Sequence, residues 1–256
     1  MPQELEVKVS RLEGSPAAES GKLVRVFEHT PEEELLQGRG RLFAVLELTL
    51  DSTLDTSLAE KLVLDTLTEE YYTSSEETPI QALERAVYAA RGKLRDFSEK
   101  SALDFAVVTL WGKVAYLARI GRPALYLRRG PEVRELLSGE GLISVGSQLL
   151  EGEDVIVLGS PGFAKNFTPQ NLPETEFLVR EFEKEGGVLG LSALLLRLKG
   201  PVSPSPSPRT GGLGALLAPQ ARGGLRLASR LGERAANLLS QRISRGRELA
   251  AERKMP

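Results

Sequence analysis

The chain has 256 residues, 41% of them apolar, which is enough for a sizeable core. It has no Cys, so a disulfide framework, a thiol nucleophile and a Cys-based zinc site are excluded, and one His makes no metal centre without converging partners. The net charge of −2 is unevenly divided: residues 201–256 carry nine Arg and one Lys against three Glu, a net +7, which leaves −9 on residues 1–200.

No apolar stretch approaches the roughly 18 residues that span a bilayer. The first residues, MPQELEVKVS, hold no apolar signal core. The expected location is cytoplasmic, with membrane association a further reading carried by the basic tail.

Taken in order, Leu5–Val9 and Leu23–Phe27 read as strands joined by a hairpin loop, Glu13–Gly21. His29, beside the acidic run Glu32-Glu33-Glu34, reads as a solvated loop residue. Arg41–Leu48 is the next strand. Leu54–Tyr72 reads as a helix capped by Asp55-Thr56-Ser57, with Leu58, Leu62, Leu67 and Tyr71 near helical spacing. Pro79–Leu94 follows as a second helix, with Thr78 as N-cap and an apolar stripe of Leu83, Ala86, Val87, Ala90 and Leu94.

The stretch Ala102–Gly162 organises the rest. Val107–Leu110, Val114–Ile120, Ala124–Leu127 and Val155–Leu158 are short apolar runs separated by Gly and charged turns, with a polar linker near its middle. This predicts sequential antiparallel strands, several buried on both faces. Leu172–Glu185 is an amphipathic helix ended by Gly186-Gly187, and Val188–Leu198 a final strand.

At residue 200 the composition breaks. The expected organisation is a domain over 1–200, a Pro/Ser/Gly-rich linker over 201–224 and a basic amphipathic helix or tail over 225–256. Arg222, Arg226, Arg230 and Arg234 recur every four residues and form one basic ridge on a helix. The ridge suits an anionic membrane surface, an acidic partner or the acidic body of the chain itself, and a solvated tail is the plainer reading. Nucleic acid is disfavoured because no aromatic residues interleave the arginines.

The order of these pieces resembles the metal-dependent PPM/PP2C-type Ser/Thr protein phosphatases over residues 1–200. Gly121-Arg122-Pro123-Ala124-Leu125-Tyr126-Leu127 stands where the family has Gly-Asp-Ser-Arg running into an apolar Tyr-Leu strand. Gly152-Glu153-Asp154, the strand Val155–Leu158 and Ser160-Pro161-Gly162 stand where it has a Gly-Asp turn, a strand and Ser-Asp-Gly. Ala44-Val45-Leu46-Glu47-Leu48 stands where it has Ala-Val-x-Asp-Gly. The resemblance implies an α+β fold, an α-β-β-α sandwich of two antiparallel sheets flanked by helices.

The resemblance also locates what is missing. The family holds two Mg²⁺ or Mn²⁺ ions on carboxylates, and these activate a bridging water. At the matching positions this chain has Glu47 and Leu48 for Asp-Gly, Arg122 for one acid, Pro161 for another, and Gly190 with Leu191 for a late Asp-Asn. The implied reading is a pseudophosphatase that needs no metal cofactor, with Glu47 and Asp51 as weak candidate ligands. Arg25, on the second strand, and Arg122 are candidates to hold a phosphate or carboxylate; each also reads as an ordinary surface residue.

The expected function is a catalytically inactive binding or regulatory module for a protein partner, phosphorylated or not, with the tail contacting that partner or a membrane surface. One alternative is a divergent active phosphatase that gathers Mg²⁺ or Mn²⁺ on Glu47, Asp51 and Asp104 or Asp154. Another is a membrane-proximal scaffold targeted by the tail.

Overall fold

A computed structural model describes residues 5–14, 21–51, 53–73, 76–137, 142–185 and 191–200. The chain divides into one unit over Met1–Pro201 and a second over Val202–Pro256. The basic ridge and the Pro/Ser/Gly-rich segment lie outside the described residues, so only the first unit is treated below.

In order, its elements are β1 (Glu6–Glu13), β2 (Lys22–His29), α1 (Glu33–Arg39), β3 (Arg41–Thr49), α2 (Thr56–Thr73), α3 (Pro79–Phe97), β4 (Ala102–Trp111) and β5 (Val114–Ile120). They continue with β6 (Ala124–Arg129), β7 (Glu132–Glu135), β8 (Ile143–Leu149), β9 (Val155–Gly159), α4 (Pro161–Asn166), α5 (Thr175–Glu185) and β10 (Ser192–Lys199). The strands form two five-stranded sheets, β1-β10-β9-β6-β7 and β2-β3-β4-β5-β8. Every pairing is antiparallel.

Strand β3 shows why the layers stack as they do. Its side chains alternate between two apolar environments, which removes the polar face a half-exposed strand would keep. Leu42, Ala44, Leu46 and Leu48 pack with Ala59, Val63, Leu67, Leu83, Ala86 and Ala90 of α2 and α3. Phe43 and Val45 enter the space between the sheets, against Leu125, Leu127, Ile156, Leu158, Leu194 and Leu196. Helix α3 starts where Pro79 fixes the first helical φ and the Thr78 N–H donates to Gln81 Oε1 at 3.1 Å.

On β6 the residues alternating with Leu125 and Leu127 point out of the sandwich. Tyr126 Oη donates to the Phe167 carbonyl and Arg128 to those of Leu172 and Pro173. These bonds anchor the chain that carries α4 and α5 over the outer face of the first sheet. The architecture is therefore the α-β-β-α sandwich.

Several local expectations change. β1 and β2 do not form a hairpin: β1 pairs with β10 in one sheet and β2 with β3 in the other. The central stretch is not a simple meander either, because the chain leaves the second sheet after β5, returns for β8 and leaves again for β9. The stretch read as a polar linker holds β7 and the start of β8, neither of which carries a strong apolar pattern. Helices α1 and α4 are too short to show a periodic apolar stripe. The last strand begins at Ser192, and residues 186–190 fall outside the described set. His29 ends β2, its ring 5.3 Å from Tyr72 and 6.3 Å from Phe27, and burial lowers its pKa.

Candidate functional site

Antiparallel register brings the ionisable residues of the second sheet together at one end. Glu47 lies opposite Val24 on β2 and Asp104 on β4. It shares the inter-sheet face with Phe43 and Val45, because strand side chains alternate. Lys22 sits two residues from Val24, diagonal to Glu47 on that face and within reach of it. Its Nζ lies 2.9 Å from Glu47 Oε1. The Glu47 side chain is 9% exposed, and its other oxygen, Oε2, is buried with no hydrogen-bond partner.

Two carboxylates directly across a strand pair repel each other. Here each has separate work. The Asp104 carboxylate turns to the loop after β5, where Oδ1 accepts the Arg122 N–H at 2.8 Å. Gly121 makes room for it: at φ +72° it occupies the left-handed region, and a Cβ there would lie 2.1 Å from Asp104 Oδ1. The Gly-Arg turn that resembles the family motif is thus closed by an acid from the neighbouring strand. The Arg122 side chain is exposed.

The other candidates lie elsewhere. Asp51 Oδ1 accepts from the Thr53 N–H at 3.2 Å and from Thr53 Oγ1 at 3.1 Å, so its carboxylate closes a local turn. Arg25 pairs with Leu46, on the helix-facing side of the sheet. Its guanidinium donates to Glu60 of α2 at 2.8 and 3.3 Å, away from the inter-sheet face that carries Glu47.

Asp154, 1% exposed, lies at the start of β9. Its carboxylate accepts from Arg129 at 2.7 and 2.9 Å and from the Glu151 N–H at 2.8 Å. It therefore pins the turn before β9. Ser160 and Pro161 sit beyond the far end of the same strand. Ser160 Oγ accepts the Phe163 N–H at 3.2 Å and caps α4, and Pro161 is buried as that helix's first residue. The position matching the family aspartate thus holds a helix-starting ring that offers no oxygen ligand. Leu191 is buried, its carbonyl accepting from the Gly14 N–H at 2.8 Å. Gly190, Arg222, Arg226, Arg230 and Arg234 lie outside the described residues.

The structure thus brings Glu47 and Asp104 together and leaves Asp51, Asp154 and Arg25 occupied by other partners. Among the described residues no three His, Cys, Asp or Glu side chains are grouped so as to hold a metal ion. The donor set does not fit the two-ion centre that the resemblance implies. Lys22 is the site residue that the sequence did not reveal, because its role depends on a diagonal register between two strands.

A groove of about 370 Å³ lies at the opposite end of β2 from Lys22, lined by His29, Pro31, Glu32, Leu35, Glu69 and Tyr72. Among the described residues no helix is long and apolar enough to cross a membrane.

No protein-family model matches the chain, and no curated protein does. Solved structures do match. PppA, described as a key regulatory component of T6SS in Pseudomonas aeruginosa, is 16% identical at a TM-score of 0.54, over 76% of this chain and 98% of that one. The catalytic domain of the serine/threonine phosphatase PstP, solved with two manganese ions, is 14% identical at a TM-score of 0.52, over 76% and 98%. A point variant of a bacterial serine phosphatase is 12% identical at a TM-score of 0.56, again over 76% and 98%. The first unit has the PP2C-like fold of the Ser/Thr phosphatases.

Proposed function

We propose that the PP2C-like unit is a pseudophosphatase, a binding or regulatory module that does not hydrolyse phosphoesters. The observation that carries this reading is the Lys22–Glu47 ion pair. Where the fold's phosphatases have a carboxylate for a divalent cation, this chain has a carboxylate already neutralised by a covalently tethered ammonium. A doubly charged ion brought within about 4 Å of that ammonium meets about 8 kcal/mol of repulsion at an effective dielectric of about 20, which cancels the attraction that Glu47 alone would offer. The ring of Pro161, which offers no side-chain oxygen, and the bond from the Arg122 N–H to Asp104 Oδ1 support the same conclusion.

The ligand is a protein partner. The exposed Arg122 suits a phosphorylated or otherwise acidic segment, with the basic tail adding affinity or attachment to an anionic surface. Titration calorimetry of the full chain with Mn²⁺, run beside a phosphopeptide hydrolysis assay, tests the reading. It expects no saturable binding below millimolar metal and no turnover above the metal-free blank. Micromolar Mn²⁺ binding with turnover lost in Glu47→Ala overturns it in favour of the divergent active enzyme.

A further inference from the structure

Of the four strands at the sheet edges, three carry the charges that keep edges from pairing with other chains. β1 has Glu6, Lys8, Arg11 and Glu13; β2 has Lys22, Arg25 and Glu28; three of the four residues of β7 are Glu132, Arg134 and Glu135. β8, the outer strand of the second sheet, reads Ile-Ser-Val-Gly-Ser-Gln-Leu and has neither a charge nor a proline. Leu142 and Leu149 bracket it, 58% and 64% exposed, more than any other large apolar side chain among the described residues.

The ladder shows which backbone groups of β8 face outward. The Leu150 N–H donates to the Lys113 carbonyl at 2.8 Å. Hydrogen-bonded partners then alternate inward along the pair, Gln148 with Ala115, Gly146 with Leu117 and Ser144 with Arg119. Ile143, Val145, Ser147 and Leu149 therefore turn their N–H and C=O groups to the open side. The Leu149 carbonyl accepts from Arg129 at 3.1 Å and from Gln148 at 2.6 Å. Among the described residues no backbone group outside the sheet bonds to the others.

We propose that β8 pairs antiparallel with β8 of a second copy of this chain, about a two-fold axis at Gly146. In that register Val145 exchanges both hydrogen bonds with Ser147 of the second copy and the reverse, and each Leu149 N–H reaches an Ile143 carbonyl. Only outward-facing residues pair with outward-facing residues, as an antiparallel ladder requires. Leu149 packs against Ile143 of the second copy, and no side chain meets its own image on the axis. Charge singles out this occupant. A two-fold axis sets a charged edge against its own charges, and β8 alone among the four edges has none. The two five-stranded sheets become one of ten strands. Pairing of this kind covers less than a standard interface, so the dimer dissociates on the order of 10–100 µM.

Sedimentation equilibrium of the full chain tests this, with two variants. Ser147→Pro removes an outward N–H and leaves the ladder to β5 intact, as edge positions allow. Leu149→Lys puts a charge opposite Ile143 of the second copy. The expected result is a monomer–dimer equilibrium that Ser147→Pro and Leu149→Lys each weaken at least tenfold. Amide exchange at Val145 and Ser147 slows with concentration in the parent chain and does not in Leu149→Lys. A parent chain that stays monomeric up to several hundred micromolar overturns the proposal. So does a dimer that Leu149→Lys leaves as tight.

Discussion

Replacing Lys22 by Met tests the centre of the site through stability alone. The Lys22 ammonium is the partner of Glu47 Oε1, and Oε2 has none, so the substitution leaves a carboxylate that is 9% exposed without any counter-charge. Removing one member of a fully buried pair costs about 3–5 kcal/mol. The Lys22 side chain is 28% exposed, so water can reach part of the vacated space, and about 2–3 kcal/mol is the better expectation. For a domain of this size that lowers Tm by about 4–12 °C. The double variant Lys22→Met, Glu47→Leu recovers most of the loss, because replacing both charges with apolar groups removes the desolvation penalty as well as the attraction. Urea unfolding of the parent chain, both single variants and the double variant gives the coupling energy directly. A Lys22→Met loss below about 0.5 kcal/mol, or a double variant no better than the single, refutes the claim that this pair neutralises the site.

Two further outcomes follow from the same geometry. Gly121→Ala should cost about 2–4 kcal/mol, since it strains a left-handed residue and forces Asp104 off the Arg122 amide. Gly112→Ala, at φ +59° with no atom within 4 Å of the new Cβ, should cost only the backbone term of about 1–2 kcal/mol, and equal losses in urea melts would refute the role given to Asp104. Burial pushes the Tyr71 hydroxyl up to about 12 and Tyr72 upward as well. Tyr71 therefore contributes stability that is fully present below pH 10 and is lost as pH rises from 10 toward 12, by up to about 2–3 kcal/mol. Tyr71→Phe should shrink that alkaline loss in urea melts across the range, at a cost near neutrality because Tyr71 donates to the Arg39 carbonyl.

How far the sequence reveals the molecule depends on whether the information is local. β3 is legible because its apolar run is unbroken, and it is unbroken because both faces are buried. The start of α3 is legible because Thr78 and Pro79 are adjacent in the chain. β8 escapes notice because a half-buried edge imposes no strong pattern on its residues, and α1 because seven residues including a glycine show no stripe. Lys22 with Glu47 and Arg25 with Glu60 are contacts across 25 and 35 residues. Their meaning lies in register and in which sheet face each strand presents, and composition encodes neither.

The position of β10 has a consequence for how the chain is made. β10 lies between β1 and β9, with Glu6 opposite Lys199, so β1 has no neighbour in its sheet until β10 emerges. The second sheet is complete once Leu149 has been added. At about 5–20 residues per second, the 50 residues from Leu149 to Lys199 take roughly 3–10 s. During that interval β1 has no partner strand, and β6, β7 and β9 cover only part of the apolar inner face of the second sheet. A stop codon before Ser192 would leave them that way permanently, giving a chain that holds most of its residues and aggregates rather than folds.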